Sequence, residues 1–207
     1  MNVLRIDSSV RLENSKSRQL TDFFLKVLKK QDHHSLKIRD VGMTPPTFPT
    51  DSFIKANYTP AENRTPEMEQ LLKPSDILID ELSWADKIVI ASPMYNFSIS
   101  TPLKAYVDSI VRIGRTFYMD ESGQMGGLLK DKKLLVITSR GAMSYQKGGT
   151  LEHLDHQEGY LRTVFQFMGI TNITFVHAEA QDFGADELKV HNLHVAKQQL
   201  SQLSRVW

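Results

Sequence analysis

"KIVIASPMYNFSISTPLKAYV" (residues 87–107) joins three kinds of chain in one short span. Lys87 to Ser92 is a continuous apolar run, the mark of a strand buried on both faces and hence of a parallel sheet. The run stops in Pro93, Met94, Tyr95, Asn96 and Phe97. Helical spacing follows, with Leu103, Val107, Ile110 and Val111 on one face. A buried strand that ends in two rings and an amide is either closing its own core or seating a flat ligand with hydrogen-bonding edges.

Outward from this unit the pattern recurs. "VLRID" (3–7) reads as a strand, and from Lys16 a helical face runs through Leu20, Phe23, Phe24, Val27 and Leu28. "LKIRD" (36–40) alternates as a short strand, and "KKLLVITS" (132–139) is a second continuous apolar run. Leu154, Leu161, Phe165 and Met168 predict a helix that stops at Gly169, and "NITFV" (172–176) is the last strand. Leu193, Ala196, Leu200 and Leu203 mark a closing amphipathic helix. Five strands alternating with five helices predict an α/β fold, a parallel sheet with helices on both faces.

The segment 41–66 lies in the proline-rich part of the chain, since six of the eight prolines fall between Pro45 and Pro74. It reads as a long surface loop. Thr65 and Pro66 suit a helix start. Pro74 is expected to kink or break that helix, with Ser75 capping a second piece that reaches about Trp84.

Composition narrows the function classes. The 207 residues, 41% hydrophobic and 24% charged, suit one domain spanning 1–207. Lys and Arg number 25 against 24 Asp and Glu, so no basic groove for nucleic acid is expected. With no cysteine, disulfides and thiolate metal sites are excluded, which fits a cytoplasmic protein. The first residues lack the apolar core of a signal peptide, and no run approaches the ~18 residues of a membrane span. The pairs His153/His156 and His191/His194 stand three apart on expected helices, but no third ligand is evident and no metal is expected. His33 and His34 read as a solvated helix end. Phe117 and Tyr118 belong either to the core or to the wall of a partner subunit's pocket. Ser8 and Ser9 lack the Gly-x-Ser-x-Gly turn of a hydrolase nucleophile. Asp7 lacks the acidic neighbours expected of a phospho-acceptor.

Three polar loops leave the carboxyl ends of expected strands: "SSVRLENSKSR" (8–18), "SPMYNFSIST" (92–101) and "SRGAMSYQKGG" (139–149). With strand order 2-1-3-4-5 they meet at one crevice, where ligands of open α/β sheets sit. Ser9, Ser15 and Ser17 beside a helix start have the make-up of an anion pocket, although Ser15 equally suits a helix cap. Tyr95 and Phe97 could flank a ring whose edge meets backbone donors near Asn96. Gly141 allows a backbone to approach a ligand closely.

These motifs, "SS" with "SKS", "PMYNFSIST", "VITSRG" and "MGITNITFVHAE", resemble the FMN-dependent NADH-azoreductases, relatives of the NAD(P)H:quinone reductases. The similarity covers nearly the whole chain, and the "PMYNF-IS" block is its most specific part. It implies a flavodoxin-like three-layer sandwich with a five-stranded parallel sheet. It also implies a homodimer, noncovalent FMN, and NADH as donor with NADPH as a possible one. Quinones or azo compounds would be the acceptors. By the same resemblance Ser9, Ser15, Lys16 and Ser17 hold the FMN phosphate. Met94, Tyr95, Asn96 and Phe97 hold the isoalloxazine, and Ser139, Arg140, Gly141 and Ala142 close over it. No residue is assigned as a catalytic acid or base. The sequence departs from the family at Ala142, where a second glycine is common, at Met119, where an aromatic is common, and at Pro74. The competing class is an FMN electron carrier with no substrate of its own. Such carriers tend to be smaller and acidic.

Overall fold

A computed structural model describes residues 1–29 and 34–207. Five parallel strands form the main sheet: β1 (Asn2–Asp7), β2 (Ser35–Asp40), β3 (Lys87–Pro93), β6 (Lys133–Ser139) and β7 (Asn172–Ala178). Their order is β2-β1-β3-β6-β7, which is 2-1-3-4-5 among the sheet strands. The helices are α1 (Lys16–Lys29), α2 (Asp51–Tyr58), α3 (Pro66–Trp84), α4 (Thr101–Ile110), α5 (Glu158–Phe167) and α6 (Asp186–Leu203).

The period of two along each strand explains the layers. Leu4, Ile6, Ile88, Ile90, Leu134 and Val136 face one side, where they meet Leu78, Ile79 and Leu82 of α3, Leu103 and Tyr106 of α4, and Leu161 and Phe165 of α5. Val3, Val89, Leu135 and Ile137 face the other, against Leu20, Phe24 and Leu28 of α1 and Ala196 and Leu200 of α6. The core strands are buried on both faces because both carry helices, as their unbroken apolar runs require.

Several expectations are corrected. The segment 41–66 is not all loop. Thr50 caps α2 by accepting from the Phe53 N–H, and a 3₁₀ turn follows at Ala61–Asn63. The prolines flank this helix instead of interrupting it, and the buried Arg112 donates to Asn57 on it. Helix α3 is likewise continuous through Pro74. Proline in a helix interior costs about 3 kcal/mol, but Leu72, Leu78, Ile79 and Leu82 bury one face of α3 on both sides of it. Ser75 caps nothing: its hydroxyl donates to the Ser109 carbonyl and accepts from Arg112.

A hairpin, β4 (Phe117–Met119) with β5 (Met125–Gly127), interrupts the expected alternation. A Cβ on Gly127 would lie 2.1 Å from the Gly169 nitrogen, so only glycine lets the hairpin seat against the end of α5. Phe117 is buried against Phe167, whereas Tyr118 is exposed. Finally, Leu154 and His153 lie on a 3₁₀ turn ahead of α5, and His156 lies in the connector between them. His191 and His194 are on α6. Among the described residues no three potential ligands gather to hold a metal. His33 lies outside the described residues, and His34 is half-buried in the connector to β2 and not on a helix. No described helix is long and apolar enough to cross a membrane.

Candidate functional site

The carboxyl ends of β1, β3 and β6 meet through hydrogen bonds between their loops. The Ser8 N–H and hydroxyl both donate to the Ala91 carbonyl, at 3.0 and 2.9 Å. The Met94 N–H donates to the Ser139 carbonyl at 2.8 Å. Ser100 joins the first two loops, because its hydroxyl caps α4 at the Leu103 N–H and donates to the Ser8 carbonyl. Strand order reverses between β1 and β3, and the crevice opens there.

At one end is a polar recess of about 90 Å³. Ser9, Asn14, Ser15 and Lys16 line it from the first loop, Met94 and Tyr95 from the second, and Ser139 and Arg140 from the third. The Ser15 carbonyl accepts the first bond of α1, from the Gln19 N–H, so Ser15 stands at the cap position. Its hydroxyl lies 3.4 Å from that of Ser17, which is fully buried behind it. The N–H groups of the first turn of α1 have no intrahelical acceptors, and together with the helix dipole they favour an anion. The Ser9 hydroxyl accepts from the Arg11 N–H at 3.2 Å and lies 3.5 Å from the Tyr95 hydroxyl.

Beside the recess, and sharing Met94, Tyr95 and Asp182 with it, lies a cleft of about 430 Å³, walled also by Asn96, Phe97, Gly141 and Ala142. Tyr95 and Ser98 exchange both backbone hydrogen bonds around Asn96 (φ +47°) and Phe97 (φ +71°), a two-residue hairpin of the primed type. Asparagine tolerates positive φ, but for phenylalanine it is strained, a feature found at ligand clamps. Among the described residues the N–H groups of Asn96 and Phe97 have no partner and can donate elsewhere. The Phe97 carbonyl accepts from the His156 N–H, which fixes the turn to the connector before α5.

The third loop is held from behind. The buried Arg140 guanidinium donates to Asp155 at 2.8 Å and Glu179 at 3.4 Å. Its side chain therefore braces the wall and does not project into the cleft. Ala142 has no positive φ, so its methyl group brings no backbone strain. A Cβ on Gly141 would approach Phe183 at 3.1 Å and the Asp182 carboxylate at 3.2 Å.

Phe183 and Asp182 belong to a fourth loop, after β7, that sequence reasoning missed. The N–H groups of Ala180, Gln181 and Phe183 donate to the carbonyls of Ala142, Arg140 and Gly141. Gln181 and Asp182 line the recess, and Phe183 lines the cleft. The available signal was position: "EAQDFG" (179–184) leaves the carboxyl end of the last strand, as the other three loops leave theirs. Ser17 is not in the recess lining but one contact behind it, and Met119 lines neither space.

A family model for the flavodoxin-like fold matches residues 1–203. An FMN-dependent NADH:quinone oxidoreductase of Trichormus variabilis is 41% identical over 209 residues, covering 100% of this chain and 99% of its own. The chain belongs to this flavodoxin-like oxidoreductase family. A second Trichormus variabilis enzyme of the same description is 43% identical over 209 residues, covering 100% of this chain and 97% of its own. The crystal structure of an FMN-dependent NADH-azoreductase from Bacillus anthracis in complex with FMN shares the fold, with a TM-score of 0.86 at 20% identity. It is covered over 99% of this chain and 98% of that one. In this family member the four loops thus stand at the switch point of a flavodoxin-like sheet.

Proposed function

We propose that this chain binds FMN across the recess and cleft, takes hydride from NADH, and delivers reducing equivalents to quinones or azo compounds. The observation that carries the reading is adjacency. A small polar recess at a helix N-terminus shares Met94, Tyr95 and Asp182 with a neighbouring cleft that has aromatic walls and unengaged backbone donors. The recess suits one phosphate monoester and not the pyrophosphate of a dinucleotide.

FMN, when bound, supplies the redox chemistry, and the protein supplies position and electrostatics. Ser9, Ser15 and Lys16 hold the phosphate from the recess lining, by hydroxyls, by the first-turn N–H groups and by the lysine charge, and Ser17 adds its hydroxyl from behind Ser15. Met94, Tyr95, Asn96 and Phe97 seat the ring, and the turn's two N–H groups meet its polar edge. Ser139, Gly141 and Ala142 close over it, while Arg140 contributes its backbone and braces the wall. The attachment is noncovalent, and the lack of cysteine excludes a thioether link. With one face of the ring covered, donor and acceptor use the other in turn, because hydride transfer needs atoms ~3–3.5 Å apart. This makes the reaction ping-pong. NADPH is an alternative donor.

Acid release of the cofactor followed by chromatography tests the reading. FMN is expected; FAD, or a colourless protein, refutes it. Steady NADH turnover with a quinone and no partner protein separates this reading from the electron carrier.

The same proposal includes a homodimer. Tyr118, Met119, Met125 and Leu128 on and beside the β4–β5 hairpin are each more than 40% exposed. Phe48, Leu71 and Ile77 line a further apolar groove of about 590 Å³. Monomers rarely leave such patches open, and light scattering that gives a monomeric mass at assay concentration refutes the dimer. We also take residues 1–207 as one domain, since one sheet draws its strands from residues 2 to 178 and α6 packs on it. A cytoplasmic location accords with the lack of cysteine.

A further inference from the structure

Beneath the recess lies a chain of charges. Arg18, in the first turn of α1, grips Asp40 with both terminal nitrogens at 2.6 and 2.8 Å and lies 3.3 Å from Asp7. Arg5 joins Asp7 at 2.8 Å and Asp22 at 2.5 Å. Two guanidinium groups thus face three carboxylates, so the cluster adds no positive charge to the recess above it. Burial alone would raise the Asp40 carboxyl, but the Arg18 hydrogen bond and the N–H groups of Met43 and Gly42 hold it below its ordinary value. Arg18 is therefore tied to its acids and cannot leave them for an anion.

One donor of Arg18 goes elsewhere. Its Nη2 gives a 2.7 Å hydrogen bond to the Ser9 carbonyl. Gly42 presses on the same oxygen: a Cβ there would lie 2.1 Å from it and 3.0 Å from Arg18 Nη2. Gly42 is itself fixed, since its N–H and that of Val41 donate to the Asp7 carbonyl at 3.0 and 2.9 Å. In a planar trans peptide the carbonyl and the next N–H point opposite ways. With the Ser9 carbonyl seated against Arg18 and Gly42, the Val10 N–H is turned to the other side, and among the described residues it has no protein partner. A flipped peptide would present the carbonyl oxygen to the recess and repel an anion.

We propose that Arg18 is a positioning residue that holds the Ser9–Val10 peptide with its N–H toward the phosphate end of the site. It acts through the Ser9 carbonyl and never touches the ligand. The inference rests on the FMN reading above and adds to it a residue that no direct-contact argument selects. It makes the preference for a phosphorylated flavin depend on a side chain whose own charge is already spent.

The test compares FMN with riboflavin, which lacks the phosphate, by flavin-fluorescence titration of the full-length chain. Wild type should bind FMN more tightly than riboflavin. Arg18→Gln should weaken FMN about tenfold or more, the scale of one lost hydrogen bond to a charged group, and leave riboflavin within twofold. Arg18→Lys, which keeps a donor for the Ser9 carbonyl, should recover part of the loss. Gly42→Ala, which pushes that carbonyl without altering any charge, should repeat the selective loss and serves as the second probe if Arg18→Gln does not fold. Equal weakening of both flavins in the variants would mean general loosening and would overturn the proposal, as would unchanged FMN binding. A wild-type chain that binds neither flavin would instead sink the FMN reading itself.

Discussion

Ser17→Ala separates binding from folding with one atom. The Ser17 hydroxyl is fully buried, and its side-chain contact in the protein is the Ser15 hydroxyl at 3.4 Å. That is long for an O–H···O bond, whose usual range ends near ~3.0 Å, so its loss should cost the flavin-free fold under about 1 kcal/mol. A hydrogen bond to phosphate is worth about 1.5–3 kcal/mol, or about tenfold to a hundredfold in Kd. At an FMN concentration of about 100 times the wild-type Kd, bound ligand stabilises wild type by about 2.7 kcal/mol. Tenfold weaker binding lowers this to about 1.4 kcal/mol, and hundredfold weaker binding to about 0.4 kcal/mol. For a chain of this length about 1 kcal/mol moves Tm by about 2–4 °C. The variant should therefore melt within about 4 °C of wild type without FMN, and its deficit should grow by about 3–9 °C with FMN. Fluorescence titration gives Kd directly. An unchanged Kd, or a loss of stability that is the same with and without FMN, refutes the assignment of Ser17 to the phosphate.

Two further outcomes follow from the geometry. The Glu158 carboxyl is held down to about 2, from the usual 4.5, chiefly by its hydrogen bond with His177 and then by Arg162, against a cost of burial. A folded value below the unfolded one gives stability that is complete above the unfolded range and lost as pH falls toward about 2. Glu158→Gln should flatten urea-melt stability between these limits, and an unaltered acid profile would contradict the pairing. In steady state, initial rates against NADH at several quinone levels should give parallel double-reciprocal lines. Intersecting lines with a detectable ternary complex would rule out a shared face.

The sequence determined the layered fold because its signals are local and redundant. Continuous runs such as Lys87–Ser92 and Lys133–Ser139 can only be satisfied by burial on both faces, and five alternations of strand and helix leave little choice of class. The three loops at 8–18, 92–101 and 139–149 were legible for the same reason, as polar breaks at strand ends. Pro74 misled because a propensity of about 3 kcal/mol says nothing of the apolar face that α3 buries along its whole length. The β4–β5 hairpin was hidden because its reason for forming, the contact of Gly127 with Gly169, spans residues far apart in the chain. The fourth loop became part of the site only through backbone bonds from Ala180–Phe183 to Arg140–Ala142. In the sequence Arg18 is only the last residue of the first polar loop. Its engagement with Asp40, Asp7 and the Ser9 carbonyl exists only once β1, β2 and α1 are assembled. Periodicity reports which side of an element is apolar, whereas a polar group's partner is chosen in three dimensions, and that choice turns a row of serines and an arginine into a site.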